Sequence, residues 1–87
     1  MRIRVSFKGP IGSRMAPITV EVGAERLSIS QVLELVARRL PALFTGKGVP
    51  RPGVLVFING RDYRVYEEGD EVEGEASVDI IQVFHGG

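Results

Sequence analysis

Eighty-seven residues suffice for one domain with a modest core and leave little room for a deep cleft beside it. Eleven lysines and arginines balance 11 aspartates and glutamates, which argues against bulk nucleic-acid binding, and an apolar content of 44% marks a folded chain. There is no cysteine, so disulfides, thiolate catalysis and cysteine-ligated metals are excluded, and no apolar run reaches the length of a membrane span.

The chain opens with clean alternation: Ile3, Val5 and Phe7 on one face of a strand, Arg2, Arg4, Ser6 and Lys8 on the other. Gly9-Pro10 ends it, and Gly12-Ser13 keeps the chain in a loop that runs to Pro17. Ile18, Val20 and Val22 then alternate with Thr19 and Glu21, and the two runs read as a hairpin with a long connection. Next the period changes. Ile29, Val32, Leu33, Val36, Ala37 and Leu40 recur at helical spacing, and Ser28 with Gln31 fits a capping box, with Leu27 placed for a hydrophobic staple. Glu34 and Arg38 are spaced to pair on the wet face, and Pro41 stops the helix near Leu40. Leu43 and Phe44 are expected to fold back onto the core.

A loop rich in glycine and proline spans 46–53. The continuous apolar run Val54 to Ile58 predicts a strand covered on both faces or nearly so, and Asn59-Gly60 predicts a sharp turn after it. A short edge strand is expected from Tyr63 to Tyr66, a solvated acidic loop from Glu67 to Glu75, and a last strand from about Val78 to Val83. One helix buries an amphipathic sheet only by lying across it. The class is therefore α+β, a β-grasp of four to five strands in a mixed sheet with one main helix packed across one face. Residues 1–83 are expected to form that domain and 84–87 a flexible reactive tail.

No catalytic constellation accompanies these elements. His85 is the one histidine, which leaves a metal cluster or a histidine-based triad nothing to assemble with. The carboxylates from Glu67 to Glu75 lack the ligand alternation of a calcium loop, and Gly46, Gly48 and Gly53 lack the Gly-Lys-Ser/Thr of a phosphate loop. What remains is the end of the chain. Gly86-Gly87 follows a strongly apolar strand, and glycine threads through narrow channels in conformations closed to other residues. From composition alone a frayed end is the plainer explanation. The missing alternatives raise the functional one, with Gly87 as the reacting group and Gly86 as its thin lead. His85 is either an exposed terminal residue or a contact that positions the tail, and Phe84 either the last core residue or the first partner contact. In the last strand Ile81 and Val83 share a face with Asp79, so they form either an apolar docking patch or a surface under a neighbouring loop. Arg61 and Arg64 are candidates for steering toward an acidic partner.

Several stretches carry a family likeness. Arg51-Pro52-Gly53-Val54-Leu55-Val56-Phe57-Ile58-Asn59 resembles the arginine-proline-glycine lead into the central strand of the ubiquitin-related modifier family. Leu40 to Phe44 is similar to that family's segment after the helix, Asp62-Tyr63 stands where aspartate and tryptophan are common, and His85-Gly86-Gly87 matches its ending. The family's glycine-aspartate turn falls early here, at Gly69-Asp70.

The resemblance implies a ubiquitin-like sulfur carrier and protein modifier. An E1-like activating enzyme would adenylate the Gly87 carboxylate with ATP, and a persulfide donor or sulfurtransferase would convert it to a thiocarboxylate. The chain itself would bind no cofactor and catalyse nothing. Its further partners would be a tRNA thiolation enzyme, the large subunit of molybdopterin synthase, or lysines of target proteins. Neither nucleic acid nor membrane is expected as a direct partner, and the expected location is the cytoplasm. The alternatives are the small subunit of molybdopterin synthase, close to the thiamine-pathway carriers, and a noncatalytic β-grasp binding module.

Overall fold

The alternating first segment becomes β1 (Arg2–Lys8), with Ile3, Val5 and Phe7 buried. It belongs to a computed structural model that describes residues 1–83, apart from the side chains of Ile11, Ser13 and Lys47. A 3-10 turn over Gly9–Ser13 opens the loop that returns the chain as β2 (Ile18–Glu21), antiparallel to β1, with Arg2 opposite Glu21 and Val5 opposite Ile18. The predicted hairpin is present.

A short strand not foreseen from the sequence, β3 (Arg26–Ser28), leads directly into α1 (Ile29–Arg39). The capping box forms as predicted. Gln31 N donates to Ser28 Oγ at 3.1 Å, and Ser28 N donates to Gln31 Oε1 at 2.8 Å, which satisfies two amide donors at the helix start. Ile29, Val32, Leu33 and Val36 are buried along the predicted stripe, and Leu27 is buried in the same core. The helix stops before Leu40-Pro41, and Leu43 and Phe44 return to the core as expected. Glu34 and Arg38 form no ion pair among the described residues. Both side chains are exposed, where an i,i+4 attraction of about 0.3–0.5 kcal/mol is weak against rotamer freedom.

Phe44–Thr45 (β4) and Val49–Pro50 (β5) form a small ladder around a 3-10 turn at Gly46–Gly48. Gly48 has φ +78°, and a Cβ there would meet Glu34 N at 3.0 Å and the Leu33 carbonyl carbon at 3.1 Å. Glycine thus lets the loop press directly against the backbone of α1.

Next comes β6 (Val54–Ile58), followed by the tight turn at Asn59-Gly60, both residues with positive φ, and β7 (Arg61–Asp62). The expected strand from Tyr63 to Tyr66 is not there. Tyr63–Val65 is a 3-10 turn, because Asp62 Oδ1 accepts from Arg64 N at 2.9 Å and caps it. Tyr66 follows and donates its hydroxyl to the Ile58 carbonyl at 2.7 Å. The acidic stretch is also not all loop. Glu71–Glu73 is a strand, β8, whose Val72 is buried and which pairs antiparallel with β3. The last strand, β9 (Glu75–Gln82), starts three residues earlier than predicted.

The main sheet has the order β2-β1-β9-β6-β7. β1 and β9 are parallel, Arg2 opposite Glu75 through Lys8 opposite Ile81, and every other pairing in the sheet is antiparallel. The inner face of β1, β9 and β6 packs with α1 into one core, in which Ile3, Val5, Val32, Val36, Ile58, Val78 and Ile80 have no exposed surface. The architecture is the predicted mixed sheet, with five strands and one main helix across one face.

Candidate functional site

β9 runs through the middle of the sheet and delivers the chain to one end of it. Its pairing continues past the strand, for Val83 N donates to the Gly53 carbonyl at 2.7 Å. The last described residue is therefore still tied to the main chain just before β6. Phe84, His85, Gly86 and Gly87, the proposed tail residues, lie outside the described residues.

Beside this exit lies the outer face of the sheet. Inner positions Val78 and Ile80 are fully buried, and the alternation of β9 turns Asp79 and Ile81 outward. Ile81 stands between Leu55 of β6 and Lys8 of β1, and Asp79 between Phe57 and Ser6. Leu55, Phe57 and Ile81 are each half-buried, and Val83 is 44% exposed. The run from Val54 to Ile58 is thus not sealed on both faces. Its second apolar face, Leu55 and Phe57, joins Ile81 in a patch that leads to the tail. Sequence reasoning placed Ile81 and Val83 here and missed Leu55 and Phe57. The signal was present, since an apolar residue at every position of a strand with only one covered face leaves the other face apolar and accessible.

The two arginines proposed for steering are placed differently. The Arg64 guanidinium is held by Asp62 through two hydrogen bonds, at 3.0 Å and 2.7 Å. This bidentate contact, with the Arg64 N–H, holds the Asp62 carboxyl down to about 2. The Arg61 guanidinium lies over the ring of Tyr66, 5.0 Å from its centroid. By register Arg61 stands opposite Ile58, an inner position, whereas Asp62, which holds Arg64, stands opposite the outward Phe57. Arg64 borders a hollow of about 200 Å³ with Arg51, Gly53, Leu55 and Tyr63, next to the tail exit.

A larger open groove, about 450 Å³, lies between the second half of α1 and the β4–β5 ladder. Its polar side chains are Glu34, Arg38 and Thr45, a set with no nucleophile and base in partnership. No group of three or more His, Cys, Asp or Glu residues that could hold a metal ion occurs among the described residues. No helix there is long and apolar enough to cross a membrane.

A five-stranded mixed sheet whose first and last strands run parallel, with one helix across its inner face and the chain leaving from the central strand, defines a ubiquitin-like β-grasp protein. The family model of Urm1, the ubiquitin related modifier, matches residues 4–87, and the chain belongs to that family. Among solved structures, Urm1 of Sulfolobus solfataricus is similar at 22% identity and a TM-score of 0.61, over 92% of this chain and 99% of that one. SAMP1 of Haloferax volcanii is similar at 14% identity and a TM-score of 0.67, over the whole of both chains. Urm1 of Trypanosoma brucei is similar at 22% identity and a TM-score of 0.63, over 99% of this chain and 95% of that one. At such identities the likeness is one of fold. No curated protein matches the chain by sequence.

Proposed function

We propose that the chain is a sulfur carrier that works through the carboxylate of Gly87. The observation that carries this is where the last described strand ends: central β9 stops at Gln82, and Val83, bound to the Gly53 carbonyl, stands beside an accessible apolar patch just before Phe84-His85-Gly86-Gly87 in the sequence. Membership of the ubiquitin related modifier family supports it.

A free carboxylate is a poor acyl donor, because its leaving group would be oxide. An E1-like partner overcomes this by bringing the Gly87 carboxylate oxygen to the α-phosphate of ATP, which releases pyrophosphate and leaves an acyl adenylate. A persulfide sulfur on a donor protein then attacks the carbonyl carbon and AMP departs. Cleavage of the resulting acyl disulfide by a thiol of the donor leaves a C-terminal thiocarboxylate on Gly87. The partner supplies the ATP site and the electrostatic stabilisation of each step. This chain supplies a thin lead through Gly86, with His85 and Phe84 as contacts that seat it, and an apolar anchor. That anchor is Ile81 with Val83, extended by Leu55 and Phe57. Arg64, fixed by Asp62, presents its exposed guanidinium next to the exit, and Arg61 lies further back along the same edge.

The sulfur then passes to a tRNA wobble uridine through a thiolation enzyme, or to a pterin or thiazole precursor. The same activated terminus acylates lysines when a target amine replaces the sulfur nucleophile. The test is intact-mass analysis after incubation with a cognate activating enzyme, ATP and a sulfur donor. Replacement of one oxygen by sulfur, mapped to Gly87, is the expected product. An unchanged mass with an enzyme that activates its other carriers would refute the carrier role.

A further inference from the structure

The chain is neutral as a whole, but its charges are sorted along the sheet. Parallel β1 and β9 begin together at one end and finish together at the other. At the starting end lie Glu21 and Glu25, the loop acids Glu67, Glu68 and Asp70, and Glu71, Glu73 and Glu75, eight of the chain's 11 carboxylates. Arg2 and Arg26 neutralise two of them, through Glu21 at 2.8 Å and Glu73 at 3.0 Å. The finishing end is where the tail leaves. Lys8 stands opposite Ile81, and Arg14 is exposed in the loop between β1 and β2. Arg51 is exposed two residues before Gly53, whose carbonyl holds Val83. The last turn of α1 adds Arg38 and Arg39, and the chain that follows it is tied to the same end by the bond from Arg51 N to the Leu43 carbonyl at 3.0 Å. No ion pair engages any of these five cations among the described residues.

Resting on the carrier role proposed above, we infer that these cations form a docking collar around the tail exit, and that its occupant is an acidic protein surface at the mouth of the activating enzyme's channel. A molecule with a basic end and an acidic end turns in the field of such a partner, so that it arrives tail first. The collar adjoins the Leu55–Ile81 patch, so an apolar anchor ringed by carboxylates on the partner would meet both. RNA fits less well. A nucleic acid long enough to cover the collar runs on toward the acidic end, where six carboxylates remain unmatched by arginine. Five cations over a neutral chain also release few counterions.

Two measurements test this. In the first, the 15N-labelled chain is titrated at low salt with a glutamate peptide of about ten residues and, separately, with an oligouridine of the same length. The peptide should move the amide signals of Lys8, Arg14, Arg38, Arg39 and Arg51. The shifts should vanish at roughly 0.5 M salt, where the Debye length is only a few ångströms, and in Arg14→Glu/Arg51→Glu. No peptide response at the collar, or tighter binding of the oligouridine, overturns the inference. In the second, ATP–pyrophosphate exchange is followed with the cognate enzyme. Arg14→Glu/Arg51→Glu should lower kcat/KM at low salt about tenfold with kcat unchanged, whereas Glu68→Lys/Glu71→Lys at the far end changes it less than about twofold. Equal exchange by the collar variant overturns the inference and leaves the carrier role standing. Absence of exchange by the unaltered chain overturns the carrier role, and the peptide titration still decides whether the collar takes an acidic partner.

Discussion

Val83 N donates to the Gly53 carbonyl at 2.7 Å, one residue beyond the end of β9. The bond joins the exit of the last strand to the entry of β6, so the point from which the tail departs is fixed by the sheet. Val83→Pro removes the donor and leaves that carbonyl to water, and should cost about 1 kcal/mol in urea unfolding. A chain ending at Val83 keeps every buried core residue among those described. It should unfold with nearly the same midpoint as the full chain while losing adenylation altogether. A truncated chain that unfolds much earlier would show that residues 84–87 belong to the domain.

Ile80 and Ile81 are sequence neighbours with opposite duties. Ile80 is fully buried between β1 and β6, opposite Phe7 and Val56, and Ile81 faces outward between Lys8 and Leu55. Ile80→Ala leaves a cavity and should cost about 2–5 kcal/mol, a large share of the stability of a domain this size. Ile81→Ala should cost about 1 kcal/mol or less. In pyrophosphate exchange the order reverses: Ile81→Asp should raise KM for the chain at least about tenfold while lowering the thermal midpoint far less than Ile80→Ala does. Wild-type exchange by Ile81→Asp would remove the sheet face from the docking surface.

The contrast between those two residues also marks what could be read from the sequence. The period-2 alternation of Ile3, Val5 and Phe7 and the helical stripe through Val32 and Val36 each name a buried face without reference to the rest of the chain. Ser28 and Gln31 mark the helix start by local chemistry alone. The misses are elements whose existence depends on a distant partner. Glu71-Val72-Glu73 alternates like any strand, but its acids disguise it until Arg26-Leu27-Ser28 is seen to pair with it. Tyr63 to Tyr66 has strand-forming residues, and the side chain of Asp62 turns them into a 3-10 turn instead. At the site, Ile81 was legible from its place beside Asp79. Leu55 and Phe57 were not, because a wholly apolar strand does not say which of its faces is covered.

Asp62 offers a pH test. Its carboxyl is held at about 2, below the ordinary 3.8, by the hydrogen bond from the Arg64 side chain and then by the Arg64 N–H. A carboxyl whose folded value is depressed stabilises the fold above its unfolded value, and this contribution fades as pH falls from about 3.8 toward 2. Asp62→Asn should therefore lose less stability than wild type across that window. The Arg64 side chain is 67% exposed, so salt should shrink the difference. Carbon-detected NMR titration gives the value directly. A midpoint near 4 for Asp62 would mean that the bidentate contact is not populated.

Gly48 carries the sharpest steric prediction. Its Cβ position faces backbone on α1, with Glu34 N at 3.0 Å and the Leu33 carbonyl carbon at 3.1 Å, and its φ is +78°. A flexible side chain would yield to a new methyl group, but a hydrogen-bonded helix does not, so Gly48→Ala must push the Gly46–Gly48 turn outward. The left-handed backbone adds about 1–2 kcal/mol for any L-residue, and the lost contact adds more, for a total of about 2–4 kcal/mol. The affected ladder, Phe44–Thr45 with Val49–Pro50, lies on the helix side of the sheet and not on the outer face that carries Ile81. Gly48→Ala should therefore lower the unfolding midpoint sharply. Amide exchange at Thr45 and Val49 should quicken while that of Val83 does not. A variant as stable as wild type would mean that the turn stands further from α1 than these distances indicate.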